Sequence, residues 1–193
     1  TYCAVSDNAI RIRGGYNGNC SSRSENPAAT VLTAPGQRLF FGTFSDELLE
    51  DLSIDRLTLR QMDYLQITLE DVFSGDYVLS LDRVWFDQID DGAPSFYDLW
   101  IPGVDRLEVR NSLFTRNGET TISSIDDLVM TNNTFADNLS APEIRESVGV
   151  MSRNIFSRSG LDLVLVSQVD ENLIELRLVD NIYGSLSASD PFE

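Results

Sequence analysis

From Leu52 onward the chain repeats one short arrangement: two apolar residues two positions apart, then a bulky apolar residue five positions further on. The copies are Leu52/Ile54/Leu59, Leu79/Leu81/Phe86, Leu107/Val109/Phe114, Leu128/Met130/Phe135, Gly149/Met151/Phe156 and Leu176/Leu178/Tyr183. The last members stand at 59, 86, 114, 135, 156 and 183, so the intervals are 27, 28, 21, 21 and 27 residues, inside the range of solenoid repeats. Within a copy, apolar and polar positions alternate, as in Leu107-Glu108-Val109-Arg110, which is the period-2 pattern of a half-buried strand.

Between the copies lie further alternating stretches, Leu65-Gln66-Ile67-Thr68-Leu69 and Leu161-Asp162-Leu163-Val164-Leu165, so each period holds at least two short strands. Helical spacing is not sustained anywhere, and Ser45-Asp46-Glu47-Leu48-Leu49-Glu50, with its N-cap serine, is too short to stand alone. The pattern therefore predicts an all-β chain. Short strands, polar turns and this period suit a single-stranded parallel β-helix, a solenoid with coils of about 21–28 residues. Leucine-rich repeats need a fixed asparagine in a leucine-dense frame, and ankyrin-type repeats need helices. The expected layout is one domain over residues 1–193, with residues 1–50 as atypical opening coils and 51–193 as six repeat coils.

Coils about 4.8 Å apart would turn aligned positions into ladders, and six copies would span roughly 30 Å. Phe86, Phe114, Phe135, Phe156 and Tyr183 then form an interior aromatic column. Asn133, Asn154 and Asn181 fall two residues before the ring, and Asn117 and Asn138 three after it. Stacked asparagines at turns hydrogen-bond along the ladder, so their expected role is structural.

Composition changes this picture mainly by exclusion. The chain has a formal net charge of −17, from 31 acidic residues against 14 basic ones, all arginine. Such a field repels nucleic acid and anionic lipid, and it suits a solvated surface in salty water. No apolar run approaches the roughly 18 residues of a membrane span, and Thr1-Tyr2-Cys3-Ala4 lacks the marks of a signal peptide, so a soluble mature chain, or an excised piece of one, is expected. Without histidine there is no Ser-His or Cys-His catalysis, and without lysine no Schiff base or P-loop lysine. Two cysteines cannot build a four-thiolate zinc site. Cys3 and Cys20 fit a disulfide pinning the first rung in a secreted setting, with two free buried thiols as the alternative.

The first 50 residues depart from the motif. Ile10-Arg11-Ile12 reads as a strand leading into a glycine-rich turn, and Val31-Leu32 and Leu39-Phe40-Phe41 supply further strands. The stretch Ile12-Arg13-Gly14-Gly15-Tyr16-Asn17-Gly18-Asn19-Cys20, continuing through Arg23 to Pro27-Ala28-Ala29-Thr30-Val31-Leu32, resembles the first rung of secreted bacterial right-handed parallel β-helix proteins. These are the pectate-lyase-like and polymorphic outer-membrane-protein-like repeats. Asn133-Thr134-Phe135, Asn154-Ile155-Phe156 and Asn181-Ile182-Tyr183-Gly184-Ser185-Leu186 are similar to later rungs of the same group. The resemblance implies a right-handed coil and export to the cell surface or medium. It covers both adhesin-like stalks and polysaccharide lyases or hydrolases, and this chain lacks the histidines of several of those enzymes.

Two places could carry chemistry. Asp105 and Asp126 both lie nine residues before the ring on adjacent coils, with Arg106 beside them aligned to Asp127. Stacked carboxylates raise each other's pKa or recruit calcium or an arginine. If the chain is an enzyme, Asp105, Asp126 and Arg106 are its candidate catalytic groups, with Arg106 or Arg110 as a lyase base, an unfavourable task for a guanidinium that holds its proton so strongly. The plainer reading is an arginine-neutralised ladder on a solvated face. The second place is the long connection after Phe86, where Asp87, Asp90 and Asp91 accompany Phe96, Tyr97 and Trp100. Aromatic faces bordered by carboxylates suit sugar rings, so Asp87, Asp90, Asp91, Tyr97 and Trp100 are the candidate ligand-binding residues, with Asp90 and Asp91 as an irregular calcium site. The alternative is that Phe96 and Trp100 cover the core. A threonine array for ice binding is absent.

The resulting expectation is an extracellular or cell-surface structural and binding module that contacts polysaccharide. A polysaccharide lyase or glycosidase using carboxylates, with or without calcium, is the alternative. Nucleic acid and membrane insertion are not expected, whereas uncapped strand edges allow end-to-end self-association.

Overall fold

The computed structural model describes residues 9–17, 19, 21–43, 51–69, 78–89, 105–123, 125–157, 163–166 and 176–184. Among them there is no α-helix, only a single 3₁₀ turn at Pro27–Ala29. The strands fall into three sheets. The first holds Ala9–Arg13 (β1), Asp51–Asp55 (β3), Val78–Asp82 (β5), Arg106–Arg110 (β7), Asp127–Thr131 (β10), Gly149–Ser152 (β13) and Leu176–Val179 (β16), in that spatial order. The second holds Val31–Thr43 (β2), Thr58–Leu69 (β4), Trp85–Ile89 (β6), Leu113–Thr115 (β8), Thr134–Ala136 (β11), Ile155–Ser157 (β14) and Ile182–Tyr183 (β17). Thr120–Ser123 (β9), Pro142–Arg145 (β12) and Val164–Val166 (β15) form the third.

Every pairing between these strands is parallel, and each strand pairs with its counterpart one repeat away. The chain is thus an all-β protein of parallel sheets, an arrangement compatible with a parallel β-helix. The repeat spacing follows directly from the register: Leu52, Leu79, Leu107, Leu128, Gly149 and Leu176 are successive partners. A seventh copy precedes them, because Ile10 pairs with Leu52, Ile12 with Ile54 and Leu32 with Leu59.

The five-residue step from pair to ring is a corner. Its second residue has positive φ in all six copies, at Arg56, Arg83, Asn111, Asn132, Arg153 and Asp180. None of these is β-branched, which fits the steric cost of the left-handed region. The next residue points inward. There Asn133 donates through Nδ2 to the Val109 carbonyl at 2.8 Å and to Asn154 Oδ1 at 3.0 Å, while Asn154 Nδ2 reaches the Met130 carbonyl and Asn181 Oδ1 at 3.0 Å each. The ladder ends at Ser112, whose Oγ donates to the Arg110 carbonyl, and the preceding corners carry apolar Val84 and Leu57. Asn117 and Asn138 form a second, shorter ladder, with the Asn117 N–H donating to Asn138 Oδ1 at 3.0 Å. The asparagines thus satisfy buried backbone groups that the corners would orphan.

Inside, the five rings form one column. Centroids are 4.7 Å apart for Phe86–Phe114, 4.3 Å for Phe114–Phe135, 5.1 Å for Phe135–Phe156 and 5.3 Å for Phe156–Tyr183, close to the strand spacing. Leu52, Ile54, Leu79, Leu81, Leu107, Val109, Leu128 and Met130 line the facing sheet, and Ile122 and Ile144 come from the third.

Gly149 breaks the apolar ladder for a steric reason. Its φ is +150°, and an added Cβ would lie 2.0 Å from the Leu128 carbonyl oxygen and 2.6 Å from its nitrogen. Gly149→Ala is therefore expected to lower stability by about 1–3 kcal/mol, the cost of holding or relieving such strain. Urea unfolding of the purified variant measures it; an unchanged midpoint would mean that β13 shifts away without cost.

Candidate functional site

Asp105 and Asp126 stand just before β7 and β10, one residue ahead of the Arg106–Asp127 pair, and the Asp127 N–H donates to the Asp105 carbonyl at 2.8 Å. Asp105 is half-buried and Asp126 exposed. Arg106 bridges Glu108 Oε1 at 2.7 Å and Asp127 Oδ2 at 2.6 Å, and Arg110 reaches Glu108 at 3.1 Å. The hydrogen bond to Glu108, joined by the Asp127 and Glu108 charges, outweighs partial burial and raises the Arg106 pKa further above its usual value. That moves Arg106 away from a base and into an ion-pair ladder with its register partner. Among the described residues no group of three or more acidic or cysteine side chains is placed to hold a metal ion.

The second sheet carries a different arrangement. Strand alternation turns Phe86 inward and Trp85 and Asp87 outward, yet the Asp87 side chain is 0% exposed. Register explains this, because Arg60 pairs with Asp87 and Asp87 with Thr115 on successive strands. Arg60 Nε donates to Asp87 Oδ2 at 2.7 Å. Arg116, held with positive φ at the corner after β8, donates from Nε at 2.9 Å and from Nη2 at 2.6 and 2.7 Å. The Thr115 hydroxyl donates to Asp87 Oδ1 at 3.0 Å and accepts from Trp85 Nε1 at 2.7 Å. The Arg60 guanidinium also lies over the Trp85 ring, 5.9 Å from its centroid. Both carboxylate oxygens of Asp87 are thus occupied, and the groups it offers to the surface are the two arginines.

Immediately beside it is a cleft of about 310 Å³ lined by Pro35, Gly36, Gln61, Asp63 and Gln88. It arises where the sheet is interrupted. The register between β2 and β4 shifts on either side of Ala34, across Pro35 and Gly36, and Gln61 and Gln88 both have positive φ at the same offset from the inward residue. Amide and carboxylate groups there can donate to and accept from a hydroxyl-rich ligand.

Of the residues expected to form a site, the structure brings Asp87 into a network and sets Asp105 and Asp126 each one residue before the Arg106–Asp127 pair, in which Arg106 binds Asp127. Asp90, Asp91, Tyr97 and Trp100, like Phe96 and the cysteines Cys3 and Cys20, lie outside the described residues. Sequence reasoning missed Arg60, Trp85, Thr115, Arg116, Gln61 and Gln88. The available signal was the shared offset: Arg60 and Asp87 each follow the inward bulky residue by one position, so opposite charges are stacked. Compared with known proteins, the chain matches no family model, no curated protein and no solved structure.

Proposed function

We propose that the chain is a single-domain, right-handed parallel β-helix acting outside the cell or at the cell surface as a structural and binding module that contacts polysaccharide. The in-register parallel return of each repeat to the same sheets supports the coil. The observation that carries the binding reading is the cleft bordered by Gln61, Asp63 and Gln88, whose two glutamines directly follow Arg60 and Asp87 in the chain. Sugars are recognised by such planar amides and carboxylates at their hydroxyls and by aromatic faces at their apolar side.

Titration calorimetry with a panel of soluble glycans tests this. At least one glycan should bind, and Gln61→Ala combined with Gln88→Ala should weaken it about tenfold or more while leaving the unfolding midpoint nearly unchanged. Absence of binding across the panel would overturn the reading. Reducing-sugar release and ultraviolet absorbance of unsaturated products, followed on the same panel, should stay flat; turnover would replace the module with an enzyme.

A further inference from the structure

The arginine pair on Asp87 is a cationic spot on an acidic protein. Two guanidinium charges face one carboxylate, which leaves a local excess of one positive charge on a chain whose net charge is −17. Asp87 uses Nε of Arg60, and Nε and Nη2 of Arg116. Both Nη groups of Arg60 and Nη1 of Arg116 have no hydrogen-bond partner among the described residues, and the two side chains are 37% and 48% exposed. Their positions are nevertheless fixed, by the buried carboxylate beneath and, for Arg60, by the Trp85 ring. A guanidinium held by one edge presents its other edge as a ready fork for an oxyanion.

We propose that Arg60 and Arg116 form an oxyanion-binding subsite, taking a carboxylate or sulfate ester carried by the ligand whose sugar hydroxyls occupy the neighbouring cleft. The subsite rests on the glycan-binding reading and adds a charge requirement to it. Gln61 follows Arg60 on β4 and Gln88 follows Asp87, the carboxylate that holds both arginines, on β6, so the cleft adjoins the Arg60 side of the fork and the two can engage adjacent parts of one sugar chain. The surrounding negative field works against any anion, so recognition needs the short-range, bidentate geometry that this fork supplies.

The test measures binding of three oligosaccharides of equal length, one carboxylated, one sulfated and one neutral, at low and high salt. At least one charged oligomer should bind about tenfold more tightly than the neutral one, and which does so identifies the anion. Arg60→Gln, which leaves Arg116 on Asp87 and the buried charge paired, should abolish that preference while neutral binding persists; Arg60→Lys should restore only part of it. Equal affinity for charged and neutral oligomers would overturn the subsite alone, whereas no binding to any would overturn the module reading beneath it. If Arg60→Gln fails to fold, the wild-type protein decides: the charged preference must shrink as salt screens the contact, and an undiminished preference overturns the proposal.

Discussion

Phe135→Ala is expected to cost about 3–5 kcal/mol, the range for emptying a buried aromatic position. The ring is 0% exposed and sits between Phe114 at 4.3 Å and Phe156 at 5.1 Å, nearly parallel to both. Removing it deletes two stacking contacts and leaves a gap in the middle of the column, where neighbouring rings are held to their own strands and cannot close it. Against a typical total of about 5–15 kcal/mol, that is a large fraction. Phe135→Leu should cost less, about 1–2 kcal/mol, because leucine keeps most of the apolar volume. Leu59 already occupies the same ladder position against Phe86. Urea denaturation of both variants checks the pair of values. Equal losses would show that volume matters little and that the stacked ring geometry itself holds the column.

The part of the fold legible from residues alone was the interior. Leu52/Ile54/Leu59 and the later copies could be aligned because the pair and ring positions, Gly149 apart, are apolar and the corner between pair and ring has a fixed length. The first copy was not legible, since twenty residues separate Ile12 from Leu32 where five separate Ile54 from Leu59. The intervening segment folds back, with Gly14 packed against the Arg56 carbonyl and Arg23 bound to Asp55 at 2.8 Å. Corner residues were hidden for another reason: arginine, glutamine, asparagine and aspartate all tolerate positive φ there, so no residue type marks the turn. Leu65-Gln66-Ile67-Thr68-Leu69 was readable as a strand, but not as the continuation of β4 in the second sheet. For the site, like charges in register drew attention to Asp105 and Asp126. The more consequential stacking joins unlike charges, Arg60 and Asp87, which neutralise each other and so carry no compositional signal.

Arg116→Ala is expected to cost about 3 kcal/mol, at the low end for breaking a buried ion pair. The buried partner is Asp87, which would keep only Arg60 Nε and the Thr115 hydroxyl. Arg116 is about half exposed, so water admitted to its place offsets part of the loss, which keeps the figure from the upper end of the range. Asp87→Ala should cost less, about 1–2 kcal/mol, because the charges it leaves behind are on arginines that already reach solvent. In the Arg116→Ala/Asp87→Ala double variant the unpaired buried charge is gone, so its loss should fall below the sum of the two single losses by roughly 1.5 kcal/mol or more. Denaturant unfolding of the four proteins closes the cycle. Additive losses would mean that Asp87 and Arg116 stabilise the sheet independently, through packing, and the arginines would then stand on the flank without the carboxylate that aims them.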